Sequence, residues 1–403
     1  MHASHRLFLR STFGAAVFCL GPAVAWAAGP GAVAGEVSGE AGAAVDRAEE
    51  GAVIDAAPSG LVHGIINGEA ATEADYPAAG GLLIDATLSV PGYGIFPYIS
   101  FLCSSTLIAP DVVLLAAHCV DELALTGGQG EITAMQFGWS RQADLSGFGP
   151  RRADWPEDTV MVRKWVKHED FNIRRLGIGI SDNHDIALLF LETPVLDVRP
   201  ALLPTPEEGA DLAVADRVIA VGWGQQTATS STQAPPAGTF AIKMMGESAI
   251  AELGDPEMKI GEERTDVRKC HGDSGGPSFY FLPEAETDDL MRLVGVTSHA
   301  YDYTDCYRTG GVDTRVDYHL EWIDAELRAA CEDGTRVWCE EPGILPTTYN
   351  DLPDEEDAGG DPVSGEEDEG KGRLACATGG GPRSAGLVGI GVLGLLLVRR
   401  PRS

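Results

Sequence analysis

Short apolar runs recur along the chain from Ile65 onward. Examples are Leu82–Ile84, Thr106–Ile108, Val112–Leu115, Ile186–Leu191, Val218–Val221 and Leu293–Thr297, separated by Gly, Pro, Asn and Asp. Runs this short, bounded by turn-forming residues, predict strands rather than helices. Many such strands make a sandwich or a barrel. One late stretch breaks the pattern. In Val316–Ala330 the apolar residues Val316, Leu320, Ile323 and Leu327 fall at helical spacing, which predicts a closing amphipathic helix. The fold class is therefore all-β with a C-terminal helix.

The flanks read differently. Arg6 and Arg10 precede an apolar stretch, Phe13–Trp26, that ends in Ala25-Trp26-Ala27. A basic start, a short apolar run and a small-x-small site predict a secretory signal over residues 1–27. The run is short for a membrane anchor. Gly29–Gly64 is rich in Gly, Ala and acidic residues and offers little to bury, so it is expected to be flexible. After the helix, residues 331–375 are dominated by Glu, Asp, Gly and Pro and predict an acidic disordered linker. The last segment, 376–403, runs Cys376, a Gly-rich spacer, an apolar stretch Leu387–Val398 and Arg399-Arg400-Pro401-Arg402. This order resembles the MYXO-CTERM class of sorting signals. That resemblance implies processing and lipidation at Cys376 and display at the cell surface or outer membrane. A retained single-pass anchor is the alternative, and release to the exterior a third.

Composition narrows the partners. The 403 residues suffice for one large domain or two ordinary ones, and 44% of them are hydrophobic, enough for a core. A formal net charge of −32 argues against a nucleic-acid partner, because phosphate backbones need clustered Lys and Arg. Of eight cysteines, Cys19 lies in the leader and Cys376 in the tail; the other six can pair in an oxidising compartment.

Three segments carry candidate chemistry: Leu115-Ala116-Ala117-His118-Cys119, Asn183-His184-Asp185-Ile186-Ala187-Leu188-Leu189 and Gly272-Asp273-Ser274-Gly275-Gly276-Pro277. A serine hydroxyl is a weak nucleophile until a base takes its proton. An imidazole can take that proton and return it to a leaving amine. A buried carboxylate fixes the imidazole tautomer and stabilises the imidazolium. The tetrahedral intermediate needs preorganised N–H donors, and glycines beside the serine let the backbone turn to present them. His118, Asp185 and Ser274 are the candidate triad, with Gly272 and Ser274 supplying the oxyanion donors.

In these residues, in their order, and in Val221-Gly222-Trp223-Gly224, the chain resembles the chymotrypsin/trypsin family of serine proteases from Ile65 to about Ala330. The resemblance implies two six-stranded antiparallel β-barrels with the triad between them. It implies bridges Cys103–Cys119 and Cys270–Cys306; a Cys331–Cys339 bridge has no such support and is a guess from proximity. It also implies a zymogen with residues 28–64 as pro-segment, in which cleavage before Ile65 frees an ammonium group that pairs with Asp273. The preceding residues, His63 and Gly64, depart from the family's usual basic residue and speak against tryptic activation.

The specificity pocket departs as well. Arg268 stands six residues before Ser274, where trypsin-like members carry Asp. Ser298, His299 and Ala300 match the family's pocket wall, and Asp313 its returning back wall. Arg268 either faces the substrate, pairs with Asp313 to leave a neutral pocket, or points to solvent; internal pairing is the reading favoured by the cost of a buried charge. The first two disfavour basic substrates. The expected activity is hydrolysis of a protein or peptide substrate by a monomer through an acyl-enzyme, with no cofactor. Metal ligation through Cys270-His271 is not expected, since no second CxxC or HxxxH accompanies it. The alternatives are a catalytically silent homologue acting as a binding module, and an esterase using the same triad.

Overall fold

The computed structural model describes residues 64–345, apart from 178, 228–234, 284–290, 302–305 and 307–309. The proposed leader, most of the pro-segment, Cys376 and the tail lie outside the described residues.

Strand β1 (Glu69–Ala70) is short. The first barrel comprises β2 (Ala79–Val90), β3 (Gly94–Ala109), β4 (Val112–Leu115), β5 (Glu131–Ser140), β6 (Val160–Lys167) and β7 (Ala187–Leu191), closed in the order β2-β3-β4-β7-β6-β5. The second comprises β8 (Arg217–Gly222), β9 (Met244–Leu253), β10 (Glu257–Ile260), β11 (Pro277–Phe281), β12 (Met291–Ala300) and β13 (Gly311–Arg315). Its order is β9-β10-β13-β12-β11-β8; β8 pairs back onto β9, and β1 adds to β9. All pairings are antiparallel. These are the two six-stranded barrels expected. Each apolar run cited above lies largely or wholly within a strand, and closure leaves no long edge exposed.

The most apolar runs form the most buried pair. Every residue of β4 and β7 is buried, and they pair Leu114 with Leu188 and Leu115 with Ala187. This register also places chemistry. Chain leaving β4 reaches His118 three residues after Leu115; chain entering β7 passes Asp185 two residues before Ala187. An antiparallel ladder thus carries both residues past the same rim.

The helix spans Leu320–Glu332, preceded by a 3-10 turn, Asp317–His319. It buries Leu320, Ile323, Leu327 and Ala330. Val316, assigned to the helix by its spacing, is buried just ahead of it. Cys103–Cys119, Cys270–Cys306 and Cys331–Cys339 are disulfide-bonded, with Cα–Cα separations of 6.3, 5.4 and 5.9 Å.

The first part of the segment read as a linker is packed, not free. Arg336 is buried and donates to Asp111 Oδ1 through Nε at 3.1 Å and Nη2 at 3.0 Å. Asp111 Oδ2 accepts the N–H groups of Val337 and Trp338, both at 2.8 Å. Asp324 on the helix holds Ile344 and Leu345 N–H at 2.7 and 2.9 Å. Two carboxylates thereby satisfy a stretch whose composition suggested no structure, and the packed domain extends through residue 345.

Candidate active site

His118 lies in a 3-10 turn that ends at Cys119, and the Cys103–Cys119 bridge fastens that turn to β3. The imidazole meets a fully buried carboxylate. Asp185 Oδ1 accepts the His118 N–H at 2.9 Å, and Oδ2 lies 2.7 Å from Nδ1. Ser298 Oγ donates to the same Oδ2 at 2.6 Å. The carboxylate therefore fixes both backbone and ring of His118, and directs Nε2 away from itself.

Burial alone would lower the His118 pKa, yet the Asp185 charge and hydrogen bond outweigh it and hold the imidazole above its ordinary 6.5. Burial works to raise Asp185, but His118, Ser298 and the backbone N–H leave it below the usual carboxylate value.

Ser274 sits in the turn between β10 and β11. That turn is bound to the first barrel: Ser104 N–H on β3 reaches Gly272 O at 3.1 Å and Ser274 O at 2.9 Å. A Cβ on Gly275 would lie 3.0 Å from Leu115 Cβ and 3.1 Å from Ala116 N. Gly275, at φ 79°, is thus pressed against the chain that leads into His118. Gly272 has φ 95°, a conformation other residues rarely adopt. Between them, Asp273 N–H donates to Cys270 O at 2.9 Å. Among the described residues, the N–H groups of Gly272 and Ser274 have no hydrogen-bond partner. Two unspent donors beside the Ser274 hydroxyl could serve a developing oxyanion.

Asp273 Oδ1 and Oδ2 accept N–H from Gly224 and Cys270, each at 2.8 Å. The carboxylate packs where a Cβ on Gly222 or Gly224 would fall 2.2 to 2.4 Å from its atoms, which explains both glycines of Val221-Gly222-Trp223-Gly224. Burial raises its pKa to about 7 despite these bonds and Lys269. No hydrogen bond joins Ile65 to Asp273 in the intact chain. Ile65 is buried beside Ala220 and Met244 with φ 37°, an unfavourable angle for a β-branched residue.

The pocket reading needs correction. Arg268 does not pair with Asp313 and does not point to solvent. It is buried, and its Nη2 and Nε donate to the carbonyls of Arg264 at 2.9 Å and Asp266 at 3.4 Å. Its backbone bridges to Ile66. The partner of Asp313 is the next residue, Lys269, whose Nζ lies 2.6 Å from Oδ2 and 2.8 Å from Ser278 Oγ. Neighbouring residues in extended chain point to opposite sides, so a shift of one position decides which cation meets Asp313. Ser298 serves Asp185 rather than only lining a wall. His299 Nε2 lies 3.2 Å from Gly179 O, and Ala300 packs beside the Cys270–Cys306 bridge.

Two closed barrels, a buried His–Asp pair on the rim of the first and a glycine-framed serine turn bound to it define a serine-protease-type domain. The trypsin family profile matches residues 65–323, and the chain belongs to that family. It is 28% identical over 244 residues to phenoloxidase-activating factor 1 of Holotrichia diomphalia, covering 57% of this chain and 62% of that protein. It is 27% identical over 251 residues to melanization protease 1 of Drosophila melanogaster, covering 56% and 58%. A third relative, suppressor of tumorigenicity 14 protein homolog of Bos taurus, is 26% identical over 271 residues, covering 65% and 28%. The chain spans less than two thirds of the length of each of these relatives.

Proposed function

We propose that this chain is a serine endopeptidase in which Ser274 attacks the scissile carbonyl, His118 takes and returns the proton, and Asp185 orients the imidazole. The observation that carries this reading is the buried Asp185 gripping His118 at both Nδ1 and backbone N, with Nε2 left free for a hydroxyl. Gly272 and Ser274 N–H stabilise the oxyanion. The reaction passes through an acyl-enzyme that water then hydrolyses. A fluorophosphonate probe tests the nucleophile: it should label active material, and labelling should vanish in Ser274→Ala. No labelling of either protein would favour the silent binding module.

The base must be neutral to accept a proton. Since Asp185 raises the His118 pKa, kcat/KM should climb with pH along an acid limb whose midpoint lies above 6.5. A profile of kcat/KM against pH checks this; a midpoint below 6.5 would contradict the assigned electrostatics.

The proposed pocket is neutral. Lys269 and Asp313 cancel each other below the surface, and Arg268 is turned away. Among the described residues of the proposed pocket, no free carboxylate is offered to a Lys or Arg substrate, which supports cleavage after non-basic residues. Export through residues 1–27, a pro-segment at 28–64 and surface attachment through 376–403 complete the proposal. Cleavage before Ile65 would supply Asp273 with a countercharge, which favours its ionised form.

A further inference from the structure

Three histidines that the mechanism does not use meet behind Asp185. His168 follows the end of β6, His184 immediately precedes Asp185, and His319 stands just before the C-terminal helix. One ring nitrogen from each lies within 4.8 Å of the other two. His184 Nδ1 and His319 Nε2 are 2.9 Å apart. The rings of His168 and His184 stack with centroids 4.4 Å apart. We propose that His168, His184 and His319 form a binding site for a divalent transition-metal ion of the zinc class.

The ring orientations support this. His319 Nδ1 lies 2.7 Å from Arg315 O, so its N–H donates to that carbonyl and Nε2 presents a lone pair to the cluster. A backbone carbonyl on the far nitrogen is the usual means of orienting a metal-ligating imidazole. Asp170 N–H donates to His168 Nδ1 at 3.2 Å, a bond that metal binding must release, so that one nitrogen of this ring carries the proton and the other offers its lone pair to the ion. Zinc bound to imidazoles at about 2.0–2.1 Å in tetrahedral geometry holds its ligand nitrogens about 3.3 Å apart. The present separations, from 2.9 Å to within 4.8 Å, bracket that value, so side-chain adjustments of about an ångström suffice.

Access and charge fit as well. His168 and His319 are buried, whereas the His184 side chain keeps 15% exposure and opens the cluster to solvent. Asp182 Oδ1 lies 3.7 Å from His184 Nε2, and Glu169 Oε2 lies 3.9 Å from His168 Nδ1. Both carboxylates are exposed and draw a cation toward the opening. Imidazoles select zinc, copper or nickel; calcium and magnesium require oxygen ligands. Among the described residues, the two other groupings of potential ligands each pair one histidine, His118 or His271, with cysteines that are disulfide-bonded and cannot supply thiolates.

The inference revises the expectation of no metal and does not depend on the hydrolytic reading. Its test is calorimetric titration of zinc into the full chain carrying Ser274→Ala, which prevents self-digestion. One equivalent should bind, and His184→Asn should weaken that binding at least about tenfold. His168→Gln provides an independent second variant with the same expected loss. Metal-free thermal unfolding of each variant verifies that it is folded. Cobalt should give visible absorption bands of a nitrogen-ligated ion in the parent and not in His184→Asn. No zinc binding, or binding of equal strength in parent and folded variants, would overturn the proposal.

Discussion

Ser274→Ala is expected to lower kcat by about 10⁶-fold while leaving the fold intact. The side chain is partly exposed in a turn, and its backbone is held by groups the substitution leaves untouched. Ser274 O still accepts from Ser104 N–H, and Gly275 N–H still reaches Thr297 O at 2.7 Å. The amides of Gly272 and Ser274 also survive, so a residual acceleration of about 10³–10⁴ over water should remain. Steady-state turnover of a peptide substrate, with thermal unfolding as the structural control, checks the expectation. Turnover retained within tenfold of the parent would assign the hydrolysis to another group.

The second large effect concerns stability. Lys269→Met should destabilise the domain by about 3–5 kcal/mol, because it strands a buried carboxylate. Asp313 is fully buried and its Oδ1 already lacks a partner among the described residues. Lys269 carries the only cation in contact with Oδ2 there. Lys269→Met combined with Asp313→Val should recover most of the loss, since a buried ion pair replaced by apolar groups of similar volume is often near neutral. Urea unfolding midpoints of the parent, single and double variants separate the outcomes. A single variant within about 1 kcal/mol of the parent would show that water or movement relieves the stranded charge.

What the sequence disclosed depended on distance along the chain. His118, Asp185 and Ser274 could be proposed from sequence because each lies in a contiguous segment whose neighbours suit the same purpose. Gly275 must lack a side chain to approach Leu115, and the apolar run after Asp185 is the buried strand that positions it. The barrels were legible because short apolar runs have few other uses. Lys269 was missed for a local reason: choosing between 268 and 269 requires the strand's facing, and an isolated Arg-Lys-Cys does not state it. The histidine cluster and the Arg336–Asp111 pair were missed for a non-local one. His184 and His319 are 135 positions apart, and Arg336 and Asp111 are 225 apart. Acidic composition also concealed residues 331–345, where order comes from specific hydrogen bonds to Asp111 and Asp324 rather than from apolar patterning.

The decisive measurement is cleavage of a diverse peptide library by material beginning at Ile65, with the Ser274→Ala protein as control and products identified by mass spectrometry. The account predicts internal cleavage after non-basic residues, absent from the control. Cleavage confined to bonds after Lys or Arg would contradict the neutral pocket, and cleavage unchanged in Ser274→Ala would contradict the triad.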